Sequence, residues 1–229
     1  MGKKLPKLAL HLRAMTVFRP LLDDPVLRAL TRCLENAGSG AERFVPLYGE
    51  FLSRLYKAGY VSLSEYTRDL VFDSDNPYIR AMCSGRTPDK LLLDGAMLDL
   101  ETLSAVAALD ADRLLSEANV NMQMAKYEVR KINLTNEYAE RAKKVSQYGY
   151  GIFARCPMFC LSPEGKITPV RSPDTIRLSD LVDYEREKEL ILGNTRALLE
   201  GKPAANMLLT GDAGTGKSST VKAVVNELW

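Results

Sequence analysis

Histidine is almost absent from this chain of 229 residues, which has only His11. That residue sits among Leu8, Leu10 and Leu12 with no acid or cysteine beside it, so it has no catalytic setting and is assigned no role. Cysteine is sparse as well. Cys33, Cys83, Cys156 and Cys160 are scattered rather than clustered, which excludes a disulfide framework of the kind that staples small secreted domains, and reduced thiols are expected. Cys156 and Cys160 flank Pro157-Met158-Phe159 and could suggest a metal pair, but no second paired set accompanies them, and two strand cysteines are the plainer reading. No apolar run approaches the roughly 18 residues of a membrane span. The opening MGKKLPKLALHLRAM is basic, but His11 and Arg13 interrupt its apolar part and no small-residue cleavage site follows, so it reads as a helix start. A cytoplasmic protein without membrane attachment is expected. An excess of one charge is also missing: 31 Lys plus Arg face 29 Asp plus Glu, a balance of +2. That removes any global electrostatic reason to expect nucleic acid or an anionic surface as partner.

What remains is an apolar fraction of 46%, normal for globular proteins, in a length that suits one large or two ordinary domains. From Leu5 to about Leu115 the apolar spacing is helical throughout. Asp23-Asp24 caps a helix with Pro25 in its first turn and Val26, Leu27, Leu30 and Leu34 along one face, and Gly38-Ser39-Gly40 ends it. A second helix spans about Glu42 to Ala58 and stops at Gly59. Ser62 or Ser64 opens a third through Phe72, Asn76-Pro77 opens a fourth ending at Gly85, and Pro88 begins a leucine-rich fifth. Residues 89–117 hold seven acids and two bases, whereas residues 1–32 hold seven bases and two acids. These stretches either face each other or form solvated surfaces, the second being the default.

From Lys126 to Arg171 nine bases stand against four acids, with Tyr127, Tyr138, Tyr148, Tyr150, Phe153 and Phe159 interleaved. Bases beside stacking aromatics suit a single-strand binder, but a helix over Asn136–Gln147 ordinarily has a charged face and buried tyrosine stems. Nucleic acid is therefore not the expected partner. Tyr148-Gly149-Tyr150-Gly151 reads as a hinge or turn, Ile152–Leu161 and Lys166–Val170 as a β-hairpin about Ser162-Pro163-Glu164-Gly165, and Pro157 as an edge or bulge position. A helix over Tyr184–Leu199 follows, closed by Gly201 and Pro203.

The densest chemical signal is Met207–Trp229, MLLTGDAGTGKSSTVKAVVNELW. Met207–Thr210 suits a buried strand. Gly211-Asp212-Ala213-Gly214-Thr215-Gly216-Lys217-Ser218 matches G-x-x-x-x-G-K-[ST], and Ser219–Leu228 has helical apolar spacing, so the P-loop pattern stands in the strand–loop–helix context it requires. Gly211, Gly214 and Gly216 can take positive φ and turn N–H groups around a phosphate. Lys217 can reach β- and γ-phosphates, and Ser218 can ligate Mg²⁺. ATP and Mg²⁺ are the expected ligands, bound by Gly211 to Ser219. Asp212 and Thr215 have no derived role beyond membership of the loop. Trp229 lies eleven residues beyond Ser218, which leaves no room for a Walker-B acid, a water-positioning residue or flanking parallel strands. The sequence reads as a piece of a longer protein, with no catalytic residue of its own and ATP held marginally or not at all.

The stretch LSDLVDYEREKELILGNTRALLEGKPAANMLLTGDAGTGKSSTVKAVVNEL resembles the opening of AAA+ ATPase modules. With IRLSDLVDYE before it, it also resembles a bacterial family of uncharacterised ATP-binding proteins, domain of unknown function eight-one-five. The resemblance covers residues 176–229 and implies that Val182 and Tyr184 contact adenine. It also implies a glycine in many relatives where Asp183 stands, and a Walker B and sensor later in the parent. The expected fold is mainly α, with a helical domain over 1–148, a hairpin and linker over 149–175, and the first part of an α/β P-loop module over 176–229. The expected function is ATP binding of AAA+ type, with hydrolysis only in the full-length parent. Homo-oligomerisation there, and a protein partner on the helical domain, are possible accompaniments. A P-loop kinase, or a helical interaction module with a non-hydrolytic nucleotide site, are the alternatives.

Overall fold

A computed structural model describes residues 4–170 and 172–229, so the basic start at Met1–Lys3 and the base at Arg171 lie outside the described residues. The chain divides into two compact units, Met1–Ala154 and Arg155–Trp229.

The first unit is helical: α1 Lys4–Ala14, a 3₁₀ turn Arg19–Asp23, α2 Pro25–Glu35, α3 Ala41–Lys57, α4 Leu63–Phe72, α5 Pro77–Cys83, α6 Lys90–Ala107, α7 Ala111–Glu117, α8 Leu134–Lys143, α9 Val145–Tyr148 and a 3₁₀ turn Gly151–Ala154. Short polar side chains start several of these helices. The Asp24 carboxylate accepts from the N–H groups of Val26 and Leu27 at 3.0 and 2.9 Å, Pro25 fills the position that needs no donor, and Asn76 accepts from the Ile79 N–H at 2.9 Å. Each satisfies donors that an uncapped first turn leaves orphaned, a contribution of about 1 kcal/mol per cap. Of the two serine candidates, Ser62 is the cap of α4. Ser64 is buried, donating to the Ala107 carbonyl at 2.8 Å and accepting from the Arg130 N–H at 2.8 Å.

α2 packs on α3, and α1, α4 and α8 each pack on α6, so their apolar faces converge on one core containing Phe18, Leu30, Leu34, Phe44, Phe51, Leu103 and Leu114. Tyr48 and Tyr127 join this core because their hydroxyls find carbonyl acceptors, Ala125 and Leu109, at 2.8 and 2.9 Å. Without those acceptors, burying the phenols would cost stability. The acidic stretch enters the core at one point. Asp99 on α6 is 5% exposed, and one of its oxygens accepts from the consecutive N–H groups of Thr16, Val17 and Phe18 at 3.0, 2.7 and 2.9 Å. Among the described residues the opposed charge blocks therefore meet through backbone amides, with no ion pair between them.

Two expectations change here. The helix expected over Asn136–Gln147 begins earlier, at Leu134, and breaks at Lys144 before the single turn α9. Ile152–Ala154 is a 3₁₀ turn instead of strand, because Gly149 and Gly151 turn the chain at φ of 65° and 57°. At Gly149 a Cβ would lie 2.7 Å from the Phe153 carbonyl oxygen, so glycine is required by space as well as by φ.

The second unit contains β1 Phe159–Leu161, β2 Ile167–Pro169, a 3₁₀ turn Leu178–Asp180, α10 Glu185–Leu199 and α11 Lys217–Leu228. The strands pair antiparallel, Phe159 with Pro169, Cys160 with Thr168 and Leu161 with Ile167. Gly165, at φ of 76°, closes the connecting turn with its N–H on the Ser162 carbonyl at 2.9 Å. Pro157 falls outside the shortened first strand, consistent with its missing N–H. All four cysteines are free thiols, and among the described residues no group of metal-binding side chains gathers. Met207–Thr210, expected as a buried strand, is neither: it is not assigned to a strand, and Met207, Leu208 and Thr210 are exposed. The protein is thus mainly helical with one small antiparallel hairpin. Among the described residues no helix is long and apolar enough to cross a membrane.

Candidate functional site

α11 begins at Lys217, two residues earlier than its apolar spacing suggests, with Gly216 as cap at φ of 79°. Gly211 and Gly214 also have positive φ, 147° and 84°, so three of the loop's backbone positions favour glycine on conformational grounds. A Cβ at Gly214 or Gly216 would meet nothing within 4 Å. Backbone torsion rather than crowding therefore selects glycine at these two positions. The Lys217 ammonium folds back over this loop, donating to the carbonyls of Gly211 and Asp212 at 2.9 and 2.6 Å and to the Thr215 hydroxyl at 3.2 Å. Thr215 in turn donates to the Asp212 carbonyl at 2.9 Å. Thr215 therefore has a role its position in the motif did not disclose, bracing the turn from inside.

The approach to the loop is held from α10. Asn194 exchanges two hydrogen bonds with the backbone of Ala205, both at 2.9 Å, imitating a strand neighbour just before Met207. Leu181–Tyr184 is held from the same helix. Lys188 is 6% exposed, and its ammonium donates to the Leu181 carbonyl at 2.5 Å and to Glu185 at 2.8 Å. Asp183 and Tyr184 both adopt left-handed backbone, at φ of 64° and 63°, which is uncommon for single non-glycine residues and more so for a pair.

These parts enclose one cavity of about 1070 Å³, lined by Leu181, Val182, Asp183, Tyr184, Lys188, Met207, Leu208, Leu209, Gly211, Asp212, Gly214, Thr215, Gly216 and Lys217, with Asp180, Glu187, Leu190, Ile191, Thr210 and Thr220. The structure brings together the two segments singled out by sequence, some thirty residues apart. Val182, Tyr184, Gly211, Asp212, Gly214, Thr215, Gly216 and Lys217 all line the cavity, whereas Ala213, Ser218 and Ser219 do not. Ser218 is exposed at the start of α11. Lys188 and Asn194 were not found by sequence reasoning, since their partners are backbone groups and leave no motif.

A strap precedes the cavity. Lys222 pairs with Asp174 at 3.1 Å, Asn226 donates to the carbonyls of Asp174 and Ile176, both at 2.8 Å, and Glu227 accepts from the Leu178 N–H at 3.3 Å. The Arg177 guanidinium donates to the Asn226 carbonyl. The hydrogen bond from Lys222, and that from the Ile176 N–H, hold the Asp174 carboxyl below its ordinary value.

In the basic stretch, Lys126 pairs with Asp112 at 2.5 Å, Arg130 with Glu65 at 2.5 Å, and Lys143 with Glu140 at 2.6 Å. Arg141 lies between the rings of Phe72 and Tyr148, 5.2 and 4.8 Å from their centres, while Tyr127 and Tyr138 are buried. These bases are engaged within the fold, and Tyr127 and Tyr138 serve the core.

Residues 154–229 match a family model described as protein of unknown function (DUF815). The match takes in the hairpin, the strap and the cavity. No curated protein and no solved structure matches the chain.

Proposed function

We propose that the cavity binds ATP with Mg²⁺, as part of an AAA+-type nucleotide-binding module. The observation that carries this reading is the convergence on one cavity of a glycine loop with three positive-φ glycines, a lysine at its helix end, and the apolar-aromatic pair Val182 and Tyr184. A volume of about 1070 Å³ suits a ligand of nucleotide size. The donor set fits a polyphosphate: backbone N–H groups of an open glycine turn and an ammonium at a helix N-terminus, where the positive dipole end favours anions. Val182 and Tyr184 supply apolar and stacking surface for a base at the other end. ATP supplies a transferable phosphoryl group, and Mg²⁺ neutralises part of its charge.

Lys217 would exchange its neutral carbonyl acceptors for phosphate oxygens, which form stronger, charge-assisted bonds. Thr215 and Asp212 would keep the turn closed during that exchange. Ser218, next to Lys217 at the start of α11, would supply a hydroxyl to the metal. Asp212, in the loop itself, disfavours a bare polyanion, and the charge of Mg²⁺ would offset that repulsion. Phosphoryl transfer also needs a positioned nucleophile and further charge stabilisation, and none of the described residues is assigned those roles. Binding is the proposed activity of these residues. The helical unit is the proposed site of protein contacts.

Because Lys217 must give up its bonds to Gly211, Asp212 and Thr215 to reach a phosphate, weak binding is expected, with a Kd of about 1 mM, or about −4 kcal/mol. Titrating ATP with Mg²⁺ by ligand-observed NMR should give saturable binding that Lys217→Ala weakens by about 10-fold or more, the loss of one charged hydrogen-bonding group. Equal binding by the variant, or none by the unsubstituted chain at about ten times that Kd, would overturn the assignment.

A further inference from the structure

We propose that Asn226 is a positioning residue for the nucleobase, setting the base end of the cavity without touching the ligand; this rests on the nucleotide reading above. Asn226 lies nine residues beyond Lys217 on α11, about 13 Å along the helix axis, out of reach of phosphates held at the loop. Its side-chain amide has two N–H donors, and both are committed, to the carbonyls of Asp174 and Ile176 at 2.8 Å each. The neighbouring turn adds the Lys222–Asp174 pair and the bond from the Leu178 N–H to Glu227. Residues 174–178 are therefore laid along α11 by side chains of that helix. The chain then makes one tight turn, with Asp180 accepting from the Arg177 N–H at 2.8 Å, and enters Leu181–Tyr184 directly.

One helix consequently carries both ends of the site. Its N-terminus holds the glycine loop, and its last turns hold the strap from which Val182 and Tyr184 are suspended. Lys188 fixes the Leu181 carbonyl from α10, so the base segment hangs between two anchors, one on each helix. Of these, Lys188 lines the cavity and would change the ligand's surroundings directly. Asn226 does not line it, which makes it the clean probe of positioning. Lys222 and Glu227 contribute through exposed charged side chains, which water and salt weaken. The two neutral bonds of half-buried Asn226 are the part of the strap that holds at any ionic strength.

The test compares ATP–Mg²⁺ with inorganic triphosphate–Mg²⁺ as probes on the full chain, using Asn226→Ala and Asn226→Asp. The aspartate keeps the shape but presents acceptors to two carbonyls, so it separates donation from packing. Both variants are expected to weaken ATP by about 10-fold, the loss of two neutral hydrogen bonds, and to leave triphosphate affinity within about 2-fold. Equal loss of both probes would mean that Asn226 merely supports the fold of the unit, and unchanged ATP affinity would mean that the strap does not set the base. Wild-type behaviour of Asn226→Asp would show that donation is not the cause. Each of those results overturns the proposal. Failure of the unsubstituted chain to bind either probe overturns the nucleotide reading itself, and triphosphate binding as tight as ATP binding overturns the placement of a base at Val182 and Tyr184.

Discussion

Replacing Asp99 tests whether the helical unit is held by a buried carboxylate that no sequence pattern marks. One oxygen of Asp99 accepts three consecutive amides, those of Thr16, Val17 and Phe18. Val17 and Phe18 are buried while Thr16 is exposed, so water can replace the carboxylate at Thr16 but not at the other two. Asp99→Ala orphans two buried N–H groups, each costing about 1–3 kcal/mol, and a total of about 4 kcal/mol is expected. Asp99→Asn retains an acceptor but loses its charge, and about 2 kcal/mol is expected from the difference between charged and neutral hydrogen bonds. Domains are stable by only about 5–15 kcal/mol, so the alanine variant should unfold at much lower urea. The single tryptophan, Trp229, lies in the other unit, so far-ultraviolet circular dichroism is the appropriate signal and tryptophan fluorescence serves as the internal control. The order wild type, Asn, Ala with the slope of the urea dependence unchanged supports the account. Both variants within about 1 kcal/mol of wild type would refute it, since exposed hydrogen bonds behave that way and buried ones do not.

Gly149→Ala places a Cβ 2.7 Å from the Phe153 carbonyl at a φ of 65° and should cost about 2–3 kcal/mol in thermal or urea unfolding of the helical unit, whereas alanine at Gly38, which meets nothing within 4 Å, should be close to neutral. Burial raises the Cys33 thiol to about 12, so a maleimide pulse at neutral pH followed by mass spectrometry should label exposed Cys83 and Cys160 and leave Cys33 unmodified until the protein unfolds. Asp183→Gly should be neutral or slightly stabilising, because glycine adopts the φ of 64° seen there. Asp183→Val should cost about 1–2 kcal/mol in unfolding of the second unit, from the steric penalty of a β-branched residue in left-handed backbone.

Local chemistry was legible and tertiary chemistry was not. Asp24 before Pro25 and Asn76 before Pro77 announce helix starts because a cap acts within three residues. Gly165 announces the hairpin turn for the same reason. The strand drawn through Ile152–Leu161 was too long, because an apolar run bounded by turn residues does not distinguish a strand from a 3₁₀ turn followed by a bend. Asp99 and Ser64 resemble surface polar residues in sequence, and only the packing of α6 and α4 reveals the amides and carbonyls they satisfy. In the second unit the glycines and Lys217 were readable as a motif, and Val182 and Tyr184 only through the resemblance. Lys188, Asn194 and Asn226 act on backbone groups distant in sequence, and no spacing rule locates such partners.

Asp183 joins the two kinds of information. The resemblance implies glycine at this position in many relatives, and the structure gives the residue a φ of 64°, followed by Tyr184 at 63°. Glycine adopts that backbone without strain, while aspartate tolerates it better than most because its short side chain can hydrogen-bond locally. Tyrosine has no such help, so the second position stores the larger strain. The anchor that over-determines it lies on either side: Lys188 grips the Leu181 carbonyl and Glu185 at once, spanning the strained pair from a single buried ammonium. The reversal leaves Val182 83% and Tyr184 55% exposed, with both on the cavity wall. A chain that relaxed into ordinary helix at 183–184 would extend α10 backwards and carry both side chains off that wall. Such strain beside a cavity is what the proposed ligand surface at Val182 and Tyr184 would require, whereas the helix start alone does not require it, since a serine or aspartate cap in extended backbone would serve without strain.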